Sequence, residues 1–142
     1  MSAGTGIRHS EFNASTNEEV TLLQIWVFPD KEGITPRYEQ KDFSLINKKN
    51  KLLPIVSPDR REGSVLINQN AYFYLGEIEA ETLVNYKKTS LSQGIYLFVL
   101  NGEVLVNDTR LGSRDAAGID DHDEILIKAL SHSEILLIEV PL

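Results

Sequence analysis

The sequence predicts an all-β protein, and three observations lead to this prediction. Short segments rich in β-branched and aromatic residues recur along the chain, separated by turns rich in Gly, Pro, Asn and Asp. No long segment shows the 3.6-residue period of an amphipathic helix. The dipeptide Asn101-Gly102 lies between two apolar segments, and this pattern is the strongest short-range signal for a β-hairpin with a type I′ turn. Strands of this length and spacing indicate a β-sandwich or jelly-roll barrel.

The first predicted strand is Val20–Phe28, an apolar segment that ends at Pro29-Asp30. Its largely apolar and β-branched character predicts burial on both faces, with Trp26 in the core. Lys31–Asn50 is polar and contains Gly33 and Pro36. A segment of about twenty residues is longer than an ordinary loop, and such segments usually join two structural units or have a functional role. We therefore expect residues 1–30 to belong to one unit, 31–50 to form a connection, and 51–142 to form a second unit.

The second unit contains most of the predicted strands. They are Lys51–Val56, Ser64–Asn68, Ala71–Ile78, Glu81–Tyr86, Gly94–Leu100, Glu103–Val106, Glu124–Ala129 and Glu134–Val140. The strands on either side of Asn101-Gly102 are expected to pair as a hairpin. A turn is expected at Leu130–Ser133, before the last strand. Residues 51–142 are therefore predicted to form a complete jelly-roll unit.

Composition excludes several classes of function. The chain has 142 residues, a net charge of −7 and no cysteine. It therefore has no disulfide scaffold, thiolate metal site or cysteine nucleophile. No run of Lys or Arg exceeds two residues, which argues against a nucleic-acid-binding surface. No apolar segment approaches the ~20 residues needed to cross a bilayer, and no signal peptide is recognisable. We expect a cytoplasmic protein without a nucleic-acid or membrane partner.

His9 and Glu11 are the main candidate site residues. In an extended segment, positions i and i+2 project to the same face, so an imidazole and a carboxylate would point the same way. Such a pair is part of 2-His-1-carboxylate and related metal sites, although it also occurs by chance. His122 lies among acids and is expected in a hydrated turn, whereas His132 lies in a surface turn. Gly4-Thr-Gly6 lacks the context of a dinucleotide-binding loop, so no cofactor-binding residue is assigned.

Several segments together resemble one known family, the pirin-like proteins, and most closely the bacterial quercetinase-type pirins. The resemblance is carried by Met1–Glu11, Leu23–Val27, Gly33–Gln40, Ser57–Asp59, Asn101-Gly102 and Leu137–Leu142. It covers essentially the whole chain. Members of this family are bicupins, with two jelly-roll barrels in one chain. The resemblance therefore implies that residues 51–142 form the carboxy-terminal cupin and that residues 1–30 carry the last strands of the amino-terminal cupin.

The resemblance also implies a metal site. In the family, the amino-terminal cupin holds a divalent metal, usually Fe, with Mn, Co, Ni or Zn as other candidates. Its later His-Ser-Glu motif matches His9 and Glu11, so these two residues would be metal ligands and Glu11 a catalytic residue once the site is completed. The earlier His-x-His motif has no match in this sequence. The second barrel lacks histidines at Thr82–Tyr86 and Gly112–Gly118, where cupin motifs would fall, and resembles the metal-free cupin of the family.

Three functions follow as expectations. The parent activity would be oxidative ring cleavage of a flavonol such as quercetin, with this chain alone inactive because half of the metal site is missing. A non-catalytic interaction module with a protein partner is the second possibility, since the acidic composition suits a protein partner better than DNA. The third is a homodimer formed through residues 1–28, whose unpaired apolar strand would seek a partner. Met1 aligns with an internal position of the family pattern, and three origins stay open: an internal start, a mis-annotated gene or a proteolysed product. An in-frame upstream cupin with a His-x-His motif would restore the enzyme hypothesis.

Overall fold

Ten strands and one short 3₁₀ helix make up the regular structure, and all of them lie after residue 50. The computed structural model describes residues 1–142. The strands are β1 (Leu52–Ser57), β2 (Val65–Leu66), β3 (Tyr72–Ile78), β4 (Leu83–Lys87), β5 (Gln93–Asn101), β6 (Glu103–Val106), β7 (Thr109–Gly112), β8 (Ala116–Ile119), β9 (Glu124–Ala129) and β10 (Ser133–Pro141). The 3₁₀ helix spans Arg61–Gly63. No helix is long and apolar enough to cross a membrane.

The strands form two sheets that enclose the main core. One sheet has six strands in the order β2-β1-β3-β10-β5-β8, and the other has four in the order β4-β9-β6-β7. All pairs are antiparallel except β1 with β2. Sixteen buried residues from both sheets form one cluster, with Leu97, Ile127 and Leu137 fully buried at its centre. This arrangement confirms the predicted all-β sandwich of cupin type.

The central strands of the six-stranded sheet are buried on both faces. Alternate residues of β10 point to opposite sides of the sheet: Ile135 and Leu137 belong to the main core, whereas Leu136 and Ile138 belong to a second apolar cluster on the outer face. Val27 packs against this second cluster. The amino-terminal segment therefore covers part of the outer face of the sheet.

The predicted strand Val20–Phe28 is not formed, and this expectation was wrong. The segment is extended but belongs to no ladder, and residues 1–50 take part only in the isolated bridges Ser2–Arg37 and Lys49–Glu77. Trp26, predicted to be in the core, is 86% exposed, and Phe28 is 87% exposed. An apolar segment becomes a strand only when a neighbour satisfies its backbone groups, and no described residue provides one. The strands expected from an amino-terminal cupin are thus absent, and the division into three units stays a prediction.

The expected hairpin at Asn101-Gly102 is also wrong. β5 and β6, which flank this dipeptide, belong to different sheets and do not pair. Only Gly102 has a positive φ, of 86°, whereas a type I′ turn requires positive φ at both positions. The dipeptide instead turns the chain from one sheet to the other. The two-residue hairpin in this region joins β6 to β7 through Asn107, whose φ is 49°.

The remaining strand predictions were largely confirmed. Eight strands were expected in residues 51–142, and each has an observed counterpart whose two ends lie within two residues of the predicted ends. The segment Ser64–Asn68 contains only the two-residue strand β2. β7 and β8 were not predicted, because Thr109–Gly112 and Ala116–Ile119 are short and contain few large apolar residues.

Candidate functional site

His9 and Glu11 lie close together on the protein surface. His9 Nε2 is 3.9 Å from Glu11 Oε1, and the two side chains are 40% and 51% exposed. The predicted pair of metal ligands is therefore brought together as the i, i+2 spacing suggests. No group of three or more His, Cys, Asp or Glu side chains in the structure could hold a metal ion. Because two exposed donors bind a divalent metal weakly and without selectivity, these residues do not fit a complete metal centre.

Residues Ser2–Gly6 form a tight turn, called the hook, that precedes His9 and Glu11 in the chain. The Gly6 amide donates to the Ala3 carbonyl at 2.8 Å, which closes a turn. Gly4 has a φ of +53°, and a Cβ at this position would lie 1.9 Å from the Ile34 carbonyl oxygen. Only glycine can therefore occupy this point where the hook touches the connection.

Arg37 joins the hook to the second unit. Ser2 and Arg37 exchange backbone hydrogen bonds of 2.8 and 3.0 Å. The Arg37 guanidinium donates from Nη2 to the Leu66 carbonyl of β2 at 2.5 Å, and Asn68 Nδ2 donates to Ser2 Oγ at 2.9 Å. Arg37 also pairs with Glu39. The segment that leads to His9 is thus anchored on the edge of the six-stranded sheet.

Glu39 lies between two arginines of this anchor. Arg60 donates to its carboxylate through Nη1 and Nη2 at 2.8 and 3.1 Å, and Arg37 donates through Nη1. These hydrogen bonds, with Arg60 contributing most, lower the pKa of Glu39 from its ordinary value near 4.5 to about 2. Glu39 is therefore ionised at neutral pH and links the connection to the second unit. No sequence pattern indicates this cluster, because its members lie far apart in the chain.

The charged segment after β1, Asp59–Glu62, contacts β3 through one of its side chains. Arg61 stacks over the Tyr72 ring, with Cζ 4.3 Å from the ring centroid. It also donates to Asp59, which lowers the pKa of that carboxyl. Arg61 therefore covers one face of β3 rather than only facing water.

The interior of the second barrel holds a buried polar network instead of metal ligands. Glu139 in β10 is fully buried and accepts hydrogen bonds from the Tyr86 hydroxyl, the Thr89 hydroxyl and the Thr89 amide, the last at 2.9 Å. Thr89 Oγ1 also lies 2.7 Å from Gln93 Oε1, and Gln93 donates from Nε2 to the Asn70 carbonyl at 2.8 Å. Burial, followed by the bond to Glu139, raises the pKa of Tyr86.

This network was missed in the sequence, although one signal was available. Glu139 interrupts the apolar segment of β10, and a carboxylate inside such a strand needs hydrogen-bond donors when it is buried. The neighbouring interior positions are occupied by the closely packed main core. The barrel interior thus combines an apolar core with one hydrogen-bonded carboxylate and contains no histidine.

The other two histidines lie on the surface, as expected. His122 Nδ1 is 2.6 Å from Asp121 Oδ1, and both side chains are more than half exposed. His132 lies 4.0 Å from Glu77 at the opposite end of β3 from Tyr72. Neither histidine is close to a set of further metal ligands.

Comparison with known proteins supports the assignment suggested by this architecture. Residues 54–140 match the model of the family described as the quercetinase C-terminal cupin domain. The chain belongs to this family. It is 38% identical over 141 residues to a quercetin 2,3-dioxygenase of Escherichia coli K12, covering 99% of this chain and 59% of the relative. A pirin-like protein of Caulobacter vibrioides is 34% identical over 140 residues, covering 98% of this chain and 60% of the relative. The resemblance to pirin-like proteins is confirmed.

Solved structures agree with the sequence comparison. The fold is similar to YhhW from Escherichia coli, with a TM-score of 0.75 and 30% identity over 82% of this chain and 48% of that chain. It is also similar to the nickel(II) complex of the same bacterial pirin, with a TM-score of 0.72 and 30% identity over 80% of this chain and 47% of that chain. The chain of this quercetinase-family protein thus spans about three fifths of the length of its curated relatives.

Proposed function

We propose that this chain forms the carboxy-terminal part of a metal-dependent quercetin 2,3-dioxygenase. In this proposal, it contributes His9 and Glu11 to a metal site that further polypeptide completes with two more ligands. The single observation that supports the proposal most is the placement of these two side chains 3.9 Å apart on a segment that is anchored to the second cupin. The relatives named quercetin 2,3-dioxygenase support the choice of substrate class.

The chain's own residues would hold and orient the site rather than carry the whole reaction. The metal, for which Fe is the first candidate and Mn, Co, Ni and Zn are the others, would supply the oxygen chemistry when bound. Glu11 would act as a ligand and, in the completed site, as a catalytic residue. The second cupin would act as a rigid support, because its interior is filled by apolar side chains and the Glu139 network.

Quercetin consumption tests the proposal directly. The purified chain is assayed with Fe, Mn, Co or Ni, alone and together with the amino-terminal part of the E. coli relative that this chain does not match. We expect no turnover by the chain alone and metal-dependent turnover by the combination. His9→Ala and Glu11→Gln should abolish that turnover, whereas His132→Ala, an exposed histidine far along the chain, should retain it. Robust turnover by the chain alone, or equal activity of the His9→Ala combination, would refute the proposal.

A second candidate is a protein-interaction role, and the extended segment Val20–Phe28 favours it. Trp26 and Phe28 are more than four fifths exposed, and Val20 and Leu22 more than half. No hydrogen bond reaches the backbone between residues 20 and 27. An apolar, unpaired strand is a template for pairing with another chain.

A homodimer is the simplest form of that role. Antiparallel pairing of two copies about Gln24 would place Leu22 opposite Trp26 and Val20 opposite Phe28, a self-complementary arrangement of the kind that two-fold symmetry requires. Sedimentation at micromolar concentration should then give a dimer. Trp26→Asp should give a monomer, and Leu91→Asp, at another exposed leucine, should leave the dimer intact. A monomeric wild-type chain would exclude this role.

A further inference from the structure

The open side of the sandwich contains a cleft between the terminal strands of its two sheets. β8 ends the six-stranded sheet and β7 ends the four-stranded sheet, and the two strands are not paired. A cavity of about 440 Å³ opens here, between the β6–β7 turn, β8 and the loop that follows β8. Val106, Ala117 and Ile119 form its apolar part. We call this cavity the seam cleft.

β8 has a free backbone edge beside this cleft. It pairs only with β5, and no hydrogen bond from another part of the chain reaches its outer edge. The Arg114 amide donates to the Val99 carbonyl and the Val99 amide donates to the Asp115 carbonyl, so two residues face one in a bulge. From there, the register places Ala117 opposite Leu97. Antiparallel alternation then directs the backbone groups of Ala116 and Gly118 away from the sheet.

This edge lacks the features by which other edges of this fold are protected. β4 and β7, the edges of the second sheet, carry Lys87 and Arg110. β8 has the sequence Ala116-Ala-Gly-Ile119, without a charge or a proline. A Cβ placed on Gly118 would meet nothing within 4 Å. An added strand could therefore approach β8 closely, because exposed edges without charges or prolines readily accept another strand.

Carboxylates and one aromatic ring lie beside the edge, and one of the carboxylates, Asp121, is paired with His122. Asp108 and Asp121 line the seam cleft, and the exposed Asp123 follows in the same loop. The positive charge of Lys88 is buried beneath this loop, where Nζ donates to the Asp120 carbonyl at 3.2 Å, so it presents no cation at the surface. Tyr96, opposite Gly118 in the ladder, is 45% exposed. Lysine or arginine side chains on an added strand would find carboxylates and an aromatic ring here.

We propose that the seam cleft binds an extended basic peptide segment by β-strand addition to β8. Backbone hydrogen bonds to Ala116 and Gly118 would hold the peptide, a small apolar side chain would enter the cleft, and flanking basic side chains would face Asp108 and Asp121. This interaction surface is independent of the dioxygenase proposal, since it involves neither His9 nor Glu11. It identifies one kind of protein partner, a segment of alternating basic and apolar residues.

A fluorescein-labelled peptide of alternating lysine and valine is the probe, and binding is measured by fluorescence polarisation with the full chain. We expect saturable binding that weakens as salt is raised, because screening reduces the attraction between the peptide and the acids. The same peptide with methylated backbone nitrogens should bind at least about tenfold more weakly, since it cannot complete the ladder. A peptide of alternating glutamate and valine should not bind. Absence of binding by the lysine peptide, or equal binding of its methylated form, would overturn the proposal.

Variants of the protein locate the site. Gly118→Pro removes an outward N–H, a substitution that edge strands tolerate, and should abolish binding. Asp108→Asn/Asp121→Asn should weaken binding by about tenfold or more. Asp30→Asn/Glu32→Gln changes the net charge equally at an exposed segment. This segment is bonded to Asn68, just after β2, at the opposite edge of the six-stranded sheet from β8, and the change should leave binding unchanged. If the two double variants weaken binding to the same extent, the peptide is held by overall charge and the assignment to the seam cleft is wrong.

Discussion

Replacing Glu139 tests whether the polar network in the second barrel stabilises the fold. In Glu139→Leu, the Thr89 hydroxyl keeps its contact with Gln93 and the Thr89 amide, on an exposed residue, can reach water. The Tyr86 hydroxyl loses the buried carboxylate to which it donates. A buried donor without a partner costs about 1–3 kcal/mol, and loss of the charged acceptor at Thr89 adds about 1 kcal/mol. We expect the free energy of unfolding to fall by about 2–4 kcal/mol in total.

Thermal and urea unfolding followed by circular dichroism measure this change. For a chain of this size, each kcal/mol corresponds to about 3 °C, so the Tm of Glu139→Leu should fall by roughly 6–12 °C. Glu139→Gln preserves the shape and can accept from Thr89 while donating to the Tyr86 oxygen, and should lose only about 1 kcal/mol. Tyr86→Phe should destabilise the wild type but not Glu139→Leu, where the hydroxyl has no partner. A Glu139→Leu protein as stable as the wild type would refute the reasoning. That result would mean that a well-packed apolar side chain replaces the buried glutamate without loss of stability.

Three further predictions concern single positions. Gly102→Ala should lower the free energy of unfolding by about 2–4 kcal/mol in urea, since its Cβ would lie 2.3 Å from a carbonyl oxygen and its φ is +86°. Gly118→Ala should change the free energy of unfolding by less than about 1 kcal/mol, because its Cβ would meet nothing within 4 Å. Equal effects of the two substitutions would contradict the conclusion that the backbone at position 102 requires glycine. Because the pKa of Glu39 is lowered, its contribution to stability is present above pH 4.5 and is lost as pH falls towards 2. An NMR titration of its carboxyl carbon should show a midpoint near 2 in the wild type and a higher midpoint in Arg60→Gln. A wild-type midpoint at the ordinary value for glutamate would contradict this prediction. Trp26 should show the red-shifted, readily quenched fluorescence of a water-exposed indole, and blue-shifted emission in the monomeric chain would show that it is covered.

The strands of the second unit could be predicted from the sequence because each has a local cause. β9 shows alternation in Glu124–Ala129, with Ile125, Ile127 and Ala129 buried and the intervening residues more exposed. β3 and β10 are apolar on both faces because the sheet is covered on both sides. Patterns of this kind depend on burial alone, and burial is encoded residue by residue.

Pairing and turns could not be predicted as reliably, since they depend on distant residues. The apolar pattern of Val20–Phe28 is that of a strand, but pattern does not provide the neighbour whose backbone must pair with it. Asn101-Gly102 carries the sequence of a hairpin turn, yet Ser113 Oγ accepts from the Gly102 amide at 3.0 Å and helps to hold a connection between sheets. In both places tertiary contacts, or their absence, override a local preference.

The candidate site shows the same division between local and distant causes. The proximity of His9 and Glu11 follows from their spacing, but a metal role was inferred only through resemblance to a family. The anchor formed by Arg37, Glu39 and Arg60 has no sequence signature, because its members come from the connection and from the turn after β1. The same holds for the link between Tyr86 and Glu139, which are 53 positions apart.

His9 and Glu11 are exposed, whereas the interior of the second barrel is filled by side chains. A barrel that binds a metal must keep an internal cavity with converging donors. Here, the interior position at Glu139 is instead committed to Tyr86 and Thr89, and every donor it needs comes from its own barrel. Opening that network to admit a metal would remove Glu139 from the buried Tyr86 hydroxyl. A buried donor left without a partner costs about 1–3 kcal/mol. The second cupin is thus stabilised in a form that disfavours metal binding inside it. The metal site proposed for this protein therefore depends on His9 and Glu11.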